Sequence, residues 1–109
     1  MKFRFSRCLA VQVPDLAAAL AYYHNQLGLE IIDQNDDGVE LGRGPGRLFL
    51  EEGGLSGPVA EFLTDDLAAA REYLKSAGCE EIVWEGPGGR CYLKDPFGVI
   101  FNVFEEQSS

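Results

Sequence analysis

Few side chains in this sequence are equipped for chemistry. One histidine, His24, and three cysteines, Cys8, Cys79 and Cys91, are scattered without CxxC or CxxH spacing, so neither a zinc knuckle nor a disulfide framework is suggested. Cys8 as a nucleophile would need a base and an orienting group, and His24, which follows Tyr23 in a helical stretch, is not expected to reach it. Gly42-Arg-Gly-Pro-Gly-Arg47 has the look of a phosphate loop. It lacks the Gly-Lys-Ser/Thr ending and leads into a strand rather than a helix, so it reads as a hairpin. Glu51 and Glu61 are the carboxylates worth weighing as an acid pair, against the simpler reading of a solvated acidic face.

The elements that position these groups come in two copies. Asp15-Leu-Ala-Ala-Ala19 recurs as Asp66-Leu-Ala-Ala-Ala70, and Tyr22 answers Tyr73. Each Asp is placed to cap a helix that follows a β-rich run, Phe3 to Val13 in one copy and Pro58 to Thr64 in the other. Leu16, Leu20, Tyr23 and Leu27 form one apolar stripe ending at Gly28; Leu67, Ala70, Leu74 and Ala77 form its counterpart, ending at Gly78. Strand candidates follow each helix: Leu29 to Asp33, Val39 to Gly42 and Arg47 to Glu52, then Glu81 to Glu85, Arg90 to Lys94 and Val99 to Glu105. Turn chemistry in 35–38, 42–46, 86–89 and 95–98 separates them. The order is βαβββ twice, over about 3–52 and 58–105 of a single domain, 1–109. Residues 53–57 join the copies, and 107–109 read as a frayed end.

Length and charge narrow the possible partners. A chain of 109 residues with 46% hydrophobic and 25% charged residues has the composition of one globular domain, and burying about 65% of its unfolded surface suffices without staples. The formal charge of −9 has the wrong sign for neutralising phosphates, so nucleic acid is not an expected partner. No apolar run approaches the ~20 residues of a membrane helix. Unpaired cysteines and the lack of a signal-like leader point to the cytoplasm.

The doubled βαβββ unit, the opening Val13-Pro-Asp-Leu-Ala-Ala-Ala-Leu-Ala-Tyr-Tyr23 with Leu27-Gly-Leu29, and the closing Asp95-Pro-Phe-Gly98 with Phe101-Asn102 resemble the vicinal oxygen chelate superfamily of glyoxalases, extradiol dioxygenases and bleomycin-resistance proteins. The resemblance covers nearly the whole chain. It implies an α+β fold in which two βαβββ repeats form an eight-stranded curved mixed sheet around a pocket, with helices on the convex side. It also implies a homodimer. Metal-dependent members carry four His or Glu ligands, from the first and last strands of each unit. Carried onto this chain, those positions are Cys8 and Phe49 in the first half, and Val59 and Asn102 in the second. None is His or Glu, and valine and phenylalanine offer a cation no lone pair.

No metal and no cofactor are therefore expected, and one ligand-binding role comes first. The function anticipated is that of a metal-free, bleomycin-resistance-type protein sequestering an aromatic or cationic small molecule. Phe49, Trp84, Tyr92 and Phe104 supply aromatic surface and Cys8 a small apolar wall. Glu51 or Glu61 attracts a cationic group. Alternation in the last strand places Asn102 between Ile100 and Phe104 on one face, where its amide needs a partner: ligand, water or Glu61. Two other readings stay open. One is a glyoxalase- or dioxygenase-like enzyme holding a divalent cation through Glu51, Glu61 and Asn102. The other is an accessory domain that serves only dimerisation.

Overall fold

The computed structural model describes residues 1–55 and 57–107; Ser56 in the joining segment, and Ser108 and Ser109 of the expected frayed end, lie outside the described residues. The fold is α+β, with eight strands in one mixed sheet in the order β2-β3-β4-β1-β5-β8-β7-β6. The strands are β1 (Arg4–Val13), β2 (Ile31–Asn35), β3 (Gly38–Leu41), β4 (Arg47–Glu52), β5 (Pro58–Thr64), β6 (Glu80–Trp84), β7 (Cys91–Lys94) and β8 (Ile100–Glu105). Helix α1 (Leu16–Leu20) follows β1, and α2 (Leu67–Ser76) follows β5, so the βαβββ order occurs twice. By contacts the chain divides into two units, Arg7–Val59 and Met1–Ser6 with Ala60–Ser109.

Both helices begin by the same device. Asp15 accepts the N–H of Ala18 at 3.1 Å, and Asp66 that of Ala69 at 3.0 Å, which satisfies one orphan donor at each N-terminus. A glutamate at the end of each last strand takes another: Glu52 accepts from Leu16 N–H at 3.2 Å and Glu105 from Leu67 N–H at 2.8 Å. The last strand thus pins the start of the helix in its own repeat.

In the unit Arg7–Val59, β1 pairs in parallel with β4, and β3 lies antiparallel to both β2 and β4. Asp36 and Asp37 make the turn between β2 and β3, with Asn35 accepting two backbone N–H groups. The core is Val39, Leu41 and Leu50, against which Leu16, Ala19, Leu20 and Tyr23 pack. One expectation changes here. The stripe from Leu16 to Leu27 predicts a single α-helix, but after Leu20 the chain winds as a π-helix over Ala21–Gln26, and Leu27 N–H bonds Tyr22 C=O at 3.0 Å. The wider turn leaves Leu27 52% exposed, so the stripe's last member falls outside the core.

In the other unit, β5 pairs in parallel with β8, while β7 lies antiparallel to β6 and β8. Leu67 and Ala70 of α2 are buried with Cys91, Leu93, Phe101 and Val103. Gly78 ends α2 in the left-handed conformation at φ 98°, as its position predicts. The N-terminal residues belong here too: Arg4 pairs with Asp65 at 3.0 Å and bonds the Glu106 carbonyl, and Phe5 packs near Phe62.

Candidate functional site

Each unit packs a helix on one side of its strands, and most of the singled-out residues lie on the other. In the unit containing Ala60–Gln107, Cys91, Leu93, Phe101 and Val103 pack with the helix, so the alternate residues Tyr92 and Asn102 point to the opposite face. Register sets Asn102 directly beside Glu61 on β5 and beside Tyr92 on β7. These three therefore form one row across three strands, with Phe104 further along the same face as Asn102.

Asn102 is fully oriented. Its Oδ1 accepts the Cys91 backbone N–H at 2.9 Å, and its Nδ2 donates to Glu61 Oε2 at 3.1 Å. The backbone donor decides which way round the amide sits, because only the oxygen can accept. Glu61 is thus the partner among the three left open by the sequence. Its second oxygen, Oε1, has no partner among the described residues and is free to accept a further hydrogen bond. Tyr92 beside it is 2% exposed.

The unit Arg7–Val59 places Cys8 beside Arg47, Ala10 beside Phe49 and Gln12 beside Glu51. Gln12 bridges two groups, donating to Glu51 Oε1 at 3.1 Å and accepting Leu55 N–H at 3.0 Å. The Arg47 guanidinium lies 5.0 Å from the Phe49 ring centroid and grips both Glu40 oxygens, at 3.1 and 2.9 Å. That double hydrogen bond holds the Glu40 carboxyl below the usual carboxylate range. Phe49 stands in its unit where Asn102 stands in the other, since Ala10 pairs with Phe49 and Glu61 with Asn102.

Trp84 is placed elsewhere. It pairs with Cys91, on the helix side, and the Arg71 guanidinium of α2 lies 3.5 Å from its ring centroid. Arg71 also holds both oxygens of Glu81 at 2.8 Å. A bulge between Glu81 and Val83 brings Glu81 and Trp84, three residues apart, to the same face, which strict alternation would not do. Sequence reasoning missed this Arg71–Glu81–Trp84 cluster because the shift of face comes from the bulge. His24 is exposed, with Nδ1 2.7 Å from the Leu29 carbonyl oxygen, far along the chain from any row described above. Burial pushes the Cys79 and Cys91 thiols up, which suits packing rather than nucleophilic work.

Residues 5–103 match the model of the Glyoxalase/Bleomycin resistance protein/Dioxygenase superfamily, and the chain belongs to that superfamily. A hypothetical protein from Bacillus halodurans C-125 is similar over 100% of this chain and 98% of its own, at 16% identity and TM-score 0.62. A glyoxalase/bleomycin resistance protein/dioxygenase superfamily member from Vibrio splendidus 12B01 is similar over 96% and 98%, at 14% identity and TM-score 0.62. An extradiol ring-cleaving dioxygenase from B. fuscum is similar over 99% of this chain but 33% of its own, at 22% identity and TM-score 0.57. No curated protein matches the chain.

The superfamily's metal-dependent members raise the question of a cation, and the donor chemistry here does not fit one. Of the four inherited positions, Phe49 and Val59 have no donor atom, and the Asn102 oxygen is turned onto the Cys91 amide. In the substitute set Glu51 accepts from Gln12, the Asn102 amide is committed to Cys91 and Glu61, and Glu61 keeps a single oxygen open. Among the described residues no three His, Cys, Asp or Glu side chains come together as a metal site. No described helix is long and apolar enough to cross a membrane.

Proposed function

We propose that the chain is a metal-free small-molecule binding protein of the bleomycin-resistance type, which sequesters its ligand on the helix-free faces of its strands. The observation that carries this reading is the Cys91–Asn102–Glu61 chain of hydrogen bonds. It spends the one polar side chain at an inherited ligand position on orienting a carboxylate, and leaves Glu61 Oε1 open. A half-buried carboxylate with Phe104 along the same face, backed by the buried Tyr92, is suited to a cationic or N–H-bearing group on an aromatic body. In the unit Arg7–Val59, Cys8, Phe49 and Glu51 offer further surface of the same mixed kind. Trp84, already stacked under Arg71, is left out of the contact set. The protein acts as a homodimer in this reading, which sedimentation would check.

Thermal-shift screening of cationic aromatic compounds tests the reading, since a ligand that binds only the folded state raises the midpoint. Hits should lose their shift in Glu61→Gln, which keeps an acceptor for Asn102 but removes the charge. Cationic aromatics that fail to shift the wild type, or that shift Glu61→Gln equally, would defeat the proposed contact. Elemental analysis of protein purified without added metal separates this from the enzyme reading: a stoichiometric divalent ion lost in Glu51→Gln or Glu61→Gln would favour the latter.

A further inference from the structure

The glycine-rich segment 42–46 borders a groove of about 360 Å³ that belongs wholly to the unit Arg7–Val59 and shares only Arg47 with the rows described above. Its apolar lining includes Leu9, Leu29 and Leu48, and its basic lining is Arg7, Arg43 and Arg47. Those three arginines are every Lys or Arg between residues 7 and 59, a stretch that carries eight Asp and Glu. An acidic unit has therefore gathered all of its cations around one apolar depression.

The three are not equivalent. Arg43 is engaged by Glu30 at 2.6 Å and Arg47 by Glu40 at 2.9 Å. The Arg7 guanidinium has no partner among the described residues. Arg7 is also the one described non-glycine residue in the left-handed region, with φ 67°. Such a backbone is unfavourable for a side chain with a Cβ, and glycine would relieve it. The loop closes on this same residue: a Cβ on Gly46 would stand 2.9 Å from the Arg7 carbonyl oxygen. Arg7, exposed and without a side-chain partner among the described residues, thus borders the leucine-lined groove beside the glycine loop.

We propose that this groove is a second binding site, for a small monocarboxylate with an aliphatic or aryl body. The body covers the leucines, and the carboxylate takes the unpaired Arg7 fork in a charge-assisted pair. A neutral analogue of the same shape forfeits the ion pair. A cationic one meets repulsion from Arg7.

Octanoate is the probe, titrated calorimetrically into the full chain, with 1-octanol and octylammonium as controls of equal chain length. Octanoate should bind saturably at one site, at least tenfold more tightly than octanol, with no binding of octylammonium. Arg7→Gly should weaken octanoate at least tenfold while keeping or raising the thermal midpoint, because glycine suits the left-handed backbone. In wild-type protein, octanoate should shift the amide resonances of Gly44 and Gly46, and Glu61→Gln should leave its affinity unchanged. Absence of saturable binding, equal affinity in Arg7→Gly, or resonance shifts centred on Asn102 instead would overturn the assignment. None of these outcomes bears on whether cationic aromatics need Glu61.

Discussion

Asn102 and Glu61, 41 residues apart in sequence, meet at 3.1 Å, with Asn102 Nδ2 donating to Glu61 Oε2. The same amide satisfies the N–H of Cys91, a residue with no exposure. Asn102→Leu leaves that donor without its acceptor and should cost about 1–3 kcal/mol in urea unfolding. Asn102→Asp keeps an acceptor for Cys91 but sets two carboxylates side by side. Its deficit at pH 7 should shrink on acidification, because two carboxylates in contact take up a shared proton more readily than one alone. A deficit in Asn102→Asp that does not depend on pH would disconnect the two residues.

The two glutamates at the ends of β4 and β8 do equivalent work at unequal depth. Glu105 bonds the N–H of Leu67, which is 7% exposed, at 2.8 Å, whereas Glu52 reaches Leu16 at 3.2 Å. Glu105→Ala should cost about 1 kcal/mol, in the range of a lost N-cap, and Glu52→Ala less. Chemical denaturation of the two variants gives the order directly.

This pairing also shows what the sequence disclosed and what it hid. The repeat of Asp-Leu-Ala-Ala-Ala announces both helices, because capping and alanine-rich winding are local properties. The strands follow from turn residues and alternation, and Phe49 is legible as the partner position of Asn102 once the strands are aligned. The bulge in β6 and the π-turns after Leu20 were not legible, since both are settled by how an element seats on its neighbours rather than by its own residues. Residue type alone groups Trp84 with Phe49, Tyr92 and Phe104, and the bulge is what carries it to Arg71. The left-handed backbone of Arg7 has no residue signature.

Gly38 and Gly44 give opposite expectations for the same change. A Cβ on Gly38 would stand 2.3 Å from the Leu50 carbonyl oxygen on the adjacent path of the sheet, while one on Gly44 would meet nothing within 4 Å. Gly38→Ala forces a backbone shift beside the fully buried Leu50 and should cost about 1–3 kcal/mol. Gly44→Ala should fall within about 0.5 kcal/mol of the wild type, as surface substitutions do. Thermal unfolding of both proteins under one buffer condition checks the contrast.

The Arg71–Glu81–Trp84 cluster makes an acid prediction. Hydrogen bonding to Arg71 pulls the Glu81 carboxyl below its ordinary value of 4.5, outweighing the upward push of burial. A folded-state value below the unfolded one means that the unfolded chain binds the proton first, so this contribution is fully present above the ordinary carboxylate range. It disappears as pH falls through the depressed value. Glu81→Gln should therefore lower the urea midpoint at pH 7 and converge on the wild type as pH falls through that depressed value. Trp84, the one tryptophan of the chain, supplies the signal, because its ring is where the Arg71 guanidinium rests. Arg71→Gln should change its emission at pH 7 without unfolding the domain, and identical emission in both proteins would mean that the cation is not held over the ring in solution.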